Sequence, residues 1–266
     1  MLRPFFLHLI NLCIKTSHFP DNLKYALVTP VLKDNKLDPE SLASYRPISN
    51  LPYLSKLLER SIFNQLENFI EKQKLHAKYQ SAYRRQHSCE TAVLRIINYI
   101  QEETFNKNHV ALLLLDSSSA FDTVDKDILI HKLKYNFKIG QNALNLIKSY
   151  LDNRSFSVSC NNTISKSKKL LTGVPQGSLL GPLMYILYTK DLEDIAQNYQ
   201  MEISLYADDI QLYISFNLCD ANAVNDKMTK CLERIKEWMD LNYVKINTGK
   251  TQLKLFTPNI ICIPFQ

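Results

Sequence analysis

The sequence predicts a mixed α+β fold around an antiparallel sheet, on three observations. Six consecutive apolar residues, 110–115, leave no polar face, as a strand covered on both sides requires. Residues 201–216 alternate strictly about Asp208-Asp209, with Met201, Ile203, Leu205 and Ala207 before it and Ile210, Leu212, Ile214 and Phe216 after it. That alternation marks a half-buried hairpin. Helical spacing recurs in Leu54, Leu57, Leu58, Ile62 and Leu66, in Cys231, Leu232, Ile235, Trp238 and Met239, and more loosely in Ala92, Leu94, Ile96, Ile97 and Ile100. All three sets are expected to be core-facing stripes.

From the N-terminus, residues 1–14 are apolar, but His8 and Asn11 interrupt them and no small-residue cleavage site follows, which argues against a signal peptide. No stretch approaches the ~20 apolar residues of a membrane span. The expectation is an intracellular protein of the nucleus or cytoplasm, without membrane attachment. The six cysteines (13, 89, 160, 219, 231, 262) show neither C-x-x-C nor Cys/His zinc spacing, so they read as reduced thiols. A chain of 266 residues that is 45% apolar can bury a sizeable core. No repeat or low-complexity linker divides it, so one continuous domain is expected. The net charge of +6 is uneven. Residues 1–100 hold 14 Lys/Arg against 8 Asp/Glu and residues 126–169 hold 9 against 2, whereas 101–125 and 170–266 are net negative. Two basic blocks beside gathered carboxylates suit a polyanion held next to a metal, although solvated surface lysine produces the same totals.

Three stretches carry chemistry. The apolar run ends at Asp116, and a carboxylate at the end of a buried strand lies where open sheets place ligands. Taken alone, it reads more readily as a strand-terminating turn residue. Small residues follow (Ser117 to Ala120), then Phe121 and Asp122, and Asp125 is positioned to cap a helix carrying Ile128, Leu129 and Leu133. In TGVPQGSLLGPL (172–183), three of the chain's five glycines fall within nine residues, which calls for positive φ or close backbone approach. Gln176 sits mid-loop, and Pro182 is expected at the first position of a helix bearing Leu183, Ile186 and Leu187. In the hairpin, a two-residue loop at Asp208-Asp209 would pair Ala207 with Ile210, Leu205 with Leu212, Ile203 with Ile214 and Met201 with Phe216. Asp-Asp is poor turn chemistry, and the adjacent charges repel unless a cation lies between them. An ordinary acidic turn is the alternative.

Together these stretches resemble the reverse transcriptase domain of non-LTR (LINE-like, jockey-like) retrotransposons. YADD (206–209) is similar to the polymerase catalytic hairpin, LLLDSSSAFDTVD to the first aspartate motif, and GVPQGSLLGPLMYILYTKDL to the glycine-rich motif. The resemblance extends to FPDNLKYALVTPVLK, SYRPISNLPYLSKLLERSI, QSAYRRQHSCETAVLRI and WMDLNYVKINTGKTQLKLF, roughly residues 19–256. It implies a right-hand polymerase fold: mainly fingers over 1–105, palm over 106–130 and 169–256, a helical basic insertion over 131–168 and a short tail over 257–266. It also implies RNA-directed DNA polymerase activity with an RNA template, a DNA primer and dNTPs, and two Mg²⁺ ions for which Mn²⁺ substitutes. Asp116, Asp208 and Asp209 would be the metal ligands, with Asp209 the weakest. Lys250 would protonate the pyrophosphate leaving group, Phe121 would exclude ribonucleotides, and Gln176 would lie along nucleotide and template. Lys33 and Arg46, with Arg84 less securely, would meet the triphosphate. Solvated surface lysine is the alternative for Lys33 and Lys250, and plain packing for Phe121. Two further readings remain at this point: a truncated remnant that only binds nucleic acid, and a two-metal nuclease. Two departures stand out. SSSA replaces the more usual Leu-Ser-Ala-Ala, and Ala82 stands where the family more often has glycine. The chain also lacks a recognisable thumb and upstream endonuclease, so it is expected to be a fragment of a longer polyprotein.

Overall fold

The computed structural model describes residues 3–118 and 120–258. In chain order its elements are α1 (Arg3–Thr16), β1 (Tyr25–Leu32), β2 (Tyr45–Asn50), α2 (Tyr53–Lys72), α3 (Cys89–Phe105), β3 (His109–Leu115), β4 (Ser117–Ser118), α4 (Ala120–Thr123), α5 (Lys126–Tyr135), α6 (Gln141–Leu151), β5 (Ser155–Cys160), β6 (Thr163–Ile164), β7 (Lys168–Lys169), α7 (Leu180–Tyr188), α8 (Asp191–Asn198), β8 (Glu202–Tyr206), β9 (Asp209–Phe216), α9 (Ala221–Leu241), β10 (Lys245–Ile246) and β11 (Gln252–Phe256). Helices and largely antiparallel sheets give the α+β class expected. The chain divides into two compact units, Met1–Leu75 with Phe121–Leu187 and His76–Ala120 with Tyr188–Gln266. Each unit is assembled from separate stretches, so no single polar linker has to mark the division, and none is visible in the sequence. Among the described residues no helix is long and apolar enough to cross a membrane, and the five described cysteines are free.

The first unit is built on a sheet ordered β2-β1-β5-β6, with β7 also on β5. β1 runs antiparallel to β2 and parallel to β5. Pro30 faces Pro47 across β1 and β2, beyond the point (Val28) where β5 stops pairing, so neither proline removes a needed ladder donor. Asp125 caps α5 as expected, its carboxylate accepting the Ile128 N–H at 2.9 Å. Pro182 is the third residue of α7, not the first. The amides of a helix's first turn have no intrahelical partner, so proline is tolerated throughout it.

In the second unit the sheet order is β11-β3-β9-β8, which makes the apolar run of β3 an interior strand. Val110, Ala111, Leu112, Leu113 and Leu115 are buried. On one face α3 packs Ile96 against Leu112 and Tyr213, and Tyr99 meets the Tyr213 ring edge-on at 4.9 Å. α9 buries Cys231, Ile235, Trp238 and Met239, as its spacing predicts. Two expectations fail. Leu94 and Ile97 of α3 are 55% and 44% exposed. Each helical residue advances about 100°, so the line through Ala92 and Ile96 leaves Leu94 on the opposite side of the helix and Ile97 about a quarter-turn round from Ile96. The hairpin register also differs. Leu205 pairs with Ile210, Ile203 with Leu212 and Tyr206 with Asp209, so the two-residue turn is Ala207-Asp208 and Asp209 opens β9. A shift of two keeps every side chain on its face, and alternation alone could not separate the two registers. The positive φ that tight hairpins require falls on Ala207, at 54°.

Candidate active site

Asp116 follows β3 directly, where Leu115 is paired with Ile210 of β9. One step further along the same pairing brings Asp116 beside Asp209. Ser117 then donates its hydroxyl to the Asp208 carbonyl at 3.1 Å, fastening the end of the first aspartate segment to the hairpin tip. β4 pairs with β10, so the NTGKT stretch that follows β10 lies on the same edge. Asn247 donates to Asp116 twice, from its backbone N–H to the Asp116 carbonyl (2.8 Å) and from its side-chain amide to the carboxylate (3.2 Å). The Lys250 ammonium lies 3.4 Å from the same carboxylate oxygen.

The electrostatics reflect this crowding. Partial desolvation, then the charges of Asp208 and Asp116, push the Asp209 carboxyl above the usual carboxylate range against a smaller pull from Lys250. Tyr83 belongs to the same edge. Residues 79–81 run along β8, with Leu205 donating to the Tyr79 carbonyl and Ser81 to the Leu205 carbonyl, both at 3.0 Å. Burial and then the Asp208 charge push the Tyr83 phenol up. Tyr83, at φ 56°, is the left-handed residue of QSAYRR; Ala82 is not, so the missing glycine is not required there. Arg84 donates to the carbonyls of Ala77 (3.1 Å), Lys78 and Gln80 (both 3.4 Å), all from Nη1, which holds this segment together through one guanidinium nitrogen.

The remaining site residues lie in the first unit. Phe121 is half-buried with its ring 5.1 Å from that of Tyr185. The glycine-rich loop is stitched to the same segment: Gly173 donates to the Val124 carbonyl (2.8 Å) and Val174 to the Phe121 carbonyl (2.9 Å). A Cβ on Gly173, at φ +80°, would fall 2.7 Å from Asp122 Cα and from the Phe121 carbonyl oxygen. Gly177, at φ +111°, has its missing Cβ 2.8 Å from the Ser49 carbonyl oxygen, and Ser49 donates to the Gln176 carbonyl at 2.7 Å. Both glycines therefore meet the expectation of positive φ and close approach. Gln176 lines a cavity of about 400 Å³ with Ser49, Pro47, Asp122 and Arg154. Lys33 and Arg46 are exposed at one end of the β1–β2 pair, with the Lys33 ammonium donating to the Ala43 carbonyl at 2.8 Å.

The family model for reverse transcriptase (RNA-dependent DNA polymerase) matches residues 32–260. The chain belongs to the reverse transcriptase family. Similar proteins include the probable RNA-directed DNA polymerase from transposon BS of Drosophila melanogaster, 35% identical over 254 residues, and the RNA-directed DNA polymerase from mobile element jockey of Drosophila funebris, 32% over 255. These alignments cover 93% and 94% of this chain but only 27% of each relative, so the chain spans about a quarter of their length. Two solved telomerases share the fold. Apo telomerase from Candida tropicalis, truncated from its C-terminal domain, superposes with a TM-score of 0.61 at 13% identity, over 88% of this chain and 51% of its own. Telomerase from Candida albicans with a fragment of telomeric RNA gives 0.61 and 13%, over 93% and 45%.

Reverse transcriptases normally need divalent metal ions. Among the described residues no three His, Cys, Asp or Glu side chains are gathered as a metal-holding group. What the reverse transcriptase edge offers is hard carboxylate oxygens from Asp116, Asp208 and Asp209. At Asp209 burial first, and then the charges of Asp208 and Asp116, disfavour the ionised carboxylate, and a cation would relieve the repulsive part. The donor chemistry fits, with Asp116 turned to Asn247 and Lys250. Sequence reasoning missed Asn247, Ser117 and Tyr83, although Asn247 stood in the NTGKT stretch. It also missed Glu59 of α2, which the helical spacing Ser55, Glu59, Ile62, Leu66 places on the buried face.

Proposed function

We propose that this chain is the RNA-directed DNA polymerase domain of a non-LTR retrotransposon polyprotein, extending a DNA primer with dNTPs on an RNA template. The observation that supports it most is the shared sheet edge of Asp116 and the Asp208-Asp209 hairpin in a reverse transcriptase chain. Asp116, Asp208 and Asp209 would hold two Mg²⁺, or Mn²⁺ in substitution. Bound there, the ions would offset charge on the oxygens of an in-line displacement at phosphorus. Lys250 would carry the proton for the pyrophosphate leaving group, and its place beside Asp116 supports that role. Phe121, backed by Tyr185, would stand against the sugar 2′ carbon. Gln176 would lie along nucleotide and template. Lys33 and Arg46, exposed together, would meet phosphate oxygens, for which cations are suited. Arg84, which holds residues 77–80 through one guanidinium nitrogen, would meet the triphosphate less securely.

Residues 1–105 would then be mainly fingers, 106–130 and 169–256 palm, and 131–168 a basic insertion. The test is primer extension on an RNA template with Mg²⁺ by the purified chain and by Asp208→Ala. Extension is expected to vanish in the variant while circular dichroism stays unchanged. Near-normal extension by Asp208→Ala would refute the assignment.

A further inference from the structure

Glu59 is a fully buried carboxylate in the first unit. One of its oxygens accepts the backbone N–H groups of Leu179 (2.7 Å) and Leu180 (3.3 Å), and the other accepts the Ser55 hydroxyl (3.1 Å). Leu180 opens α7, so Glu59 caps that helix from a different element. First-turn amides lack intrahelical partners, and the positive end of the helix dipole favours an anion there. Ser178 caps the next amide, its hydroxyl accepting from Gly181 at 3.0 Å. Burial alone raises the Glu59 carboxyl. The Leu179 amide, the Arg154 charge, the Leu180 amide and Ser55 offset only part of that rise. Arg154, 1% exposed, is itself fixed by donation to the Tyr150 carbonyl (2.7 Å) and by stacking over the Tyr150 ring (4.1 Å).

The glycine-rich loop is thus held at three places: residues 173–174 on 121–124, Gln176 on Ser49, and 179–180 on Glu59. Only the last is a side-chain carboxyl, and its contact lies three residues beyond Gln176. We propose that Glu59 is a positioning residue for nucleotide addition, fixing the start of α7 so that the loop presents Gln176 at a set height to the incoming nucleotide. The inference rests on the polymerase reading and on the role of Gln176 in it.

The decisive variant is Glu59→Gln, which keeps volume and one acceptor oxygen but replaces charge-assisted hydrogen bonds with weaker neutral ones. Leu146→Ala, a core truncation in α6, serves as the control for stability alone. Glu59→Gln is expected to speed hydrogen exchange at the Leu179 and Leu180 amides about tenfold. It should raise KM for dNTPs by a similar factor, with kcat within about twofold. Leu146→Ala should lower thermal stability and leave both readouts unchanged. Wild-type exchange at the two amides in Glu59→Gln overturns the inference. So does a KM that rises equally in Leu146→Ala at matched loss of stability. A wild-type chain that extends no primer overturns the polymerase reading and the kinetic role with it, while the exchange measurement, made without substrate, still decides whether Glu59 anchors α7.

Discussion

Gly173→Ala tests whether the glycine-rich loop and the Phe121 segment form one rigid piece. A methyl group built on Gly173 lies 2.7–2.8 Å from Asp122 Cα, the Phe121 carbonyl oxygen and the Asp122 carbonyl oxygen. All three are main-chain atoms, so no side-chain rotation relieves the clash. The residue also sits at φ +80°, where a Cβ costs roughly 1–2 kcal/mol. Moving the loop away breaks the Gly173–Val124 and Val174–Phe121 hydrogen bonds, and each donor left unpaired costs about 1–3 kcal/mol. The smaller unfolded-state entropy of alanine returns only about 0.4–1 kcal/mol. A net loss of about 2–8 kcal/mol follows, at least ~4 °C in the unfolding midpoint for units of this size. Gly140→Ala is the matched control, since nothing lies within 4 Å of its missing Cβ. Thermal unfolding by circular dichroism compares the two. With Phe121 against the sugar as proposed, Gly173→Ala should also relax a preference for deoxynucleotides, because the displaced backbone is that of Phe121. A Gly173→Ala midpoint within 1 °C of the control would show that the loop yields freely, and the account of the glycines would fail.

Asn247→Ala removes one hydrogen bond from the Asp116 carboxylate and is expected to raise the Mg²⁺ concentration for half-maximal extension several-fold, with the unfolding midpoint moving by less than ~2 °C. An unchanged Mg²⁺ titration would count against the contact. Ala207→Gly removes a Cβ from a residue at φ 54° and should stabilise by about 0.5–1 kcal/mol, read as a rise in midpoint; a fall would mean that the turn is not strained. Burial pushes the Cys231 thiol up to about 11, so at pH 8 only about one in a thousand is thiolate. Mass spectrometry after brief alkylation of the native chain should find Cys89, Cys160 and Cys219 modified and Cys231 intact, and early labelling at Cys231 would contradict the α9 packing.

What the sequence made legible was set by local pattern. The apolar run 110–115 allowed only an interior strand, and β3 lies between β11 and β9. Three glycines in nine residues announced close backbone approach, which Gly173 and Gly177 show. Side-chain parity in the hairpin was readable too, because alternation fixes faces. Pairing by twos was not, since both registers bury the same residues and only the turn at Ala207 separates them. Contacts between distant segments left no periodic trace. Asn247 reaches Asp116 across 131 positions and Glu59 reaches Leu179 across 120. The backbone contacts of Arg84 were hidden for a related reason: a cation in a basic block gives no sign that nearby carbonyls will accept from it.

The reverse transcriptase edge shows how carboxylates can be held together without a strong internal counter-charge. Nothing in the packing of β3 and β9 requires acids at their ends, and Asp209 registers the repulsion they create. Two tethers of different strength act on Asp116. The double donation from Asn247 runs partly through the backbone and fixes where the carboxylate stands. Lys250, 69% exposed, sits at 3.4 Å, a pairing that solvent screens to about 0–1 kcal/mol. An ammonium held so weakly can be displaced from Asp116 at little cost, whereas the asparagine cannot move without unpicking the β4–β10 pair. The same edge is therefore firm in its backbone and loosely neutralised in its charge, a combination that suits the proposed role of accepting and releasing cations without refolding.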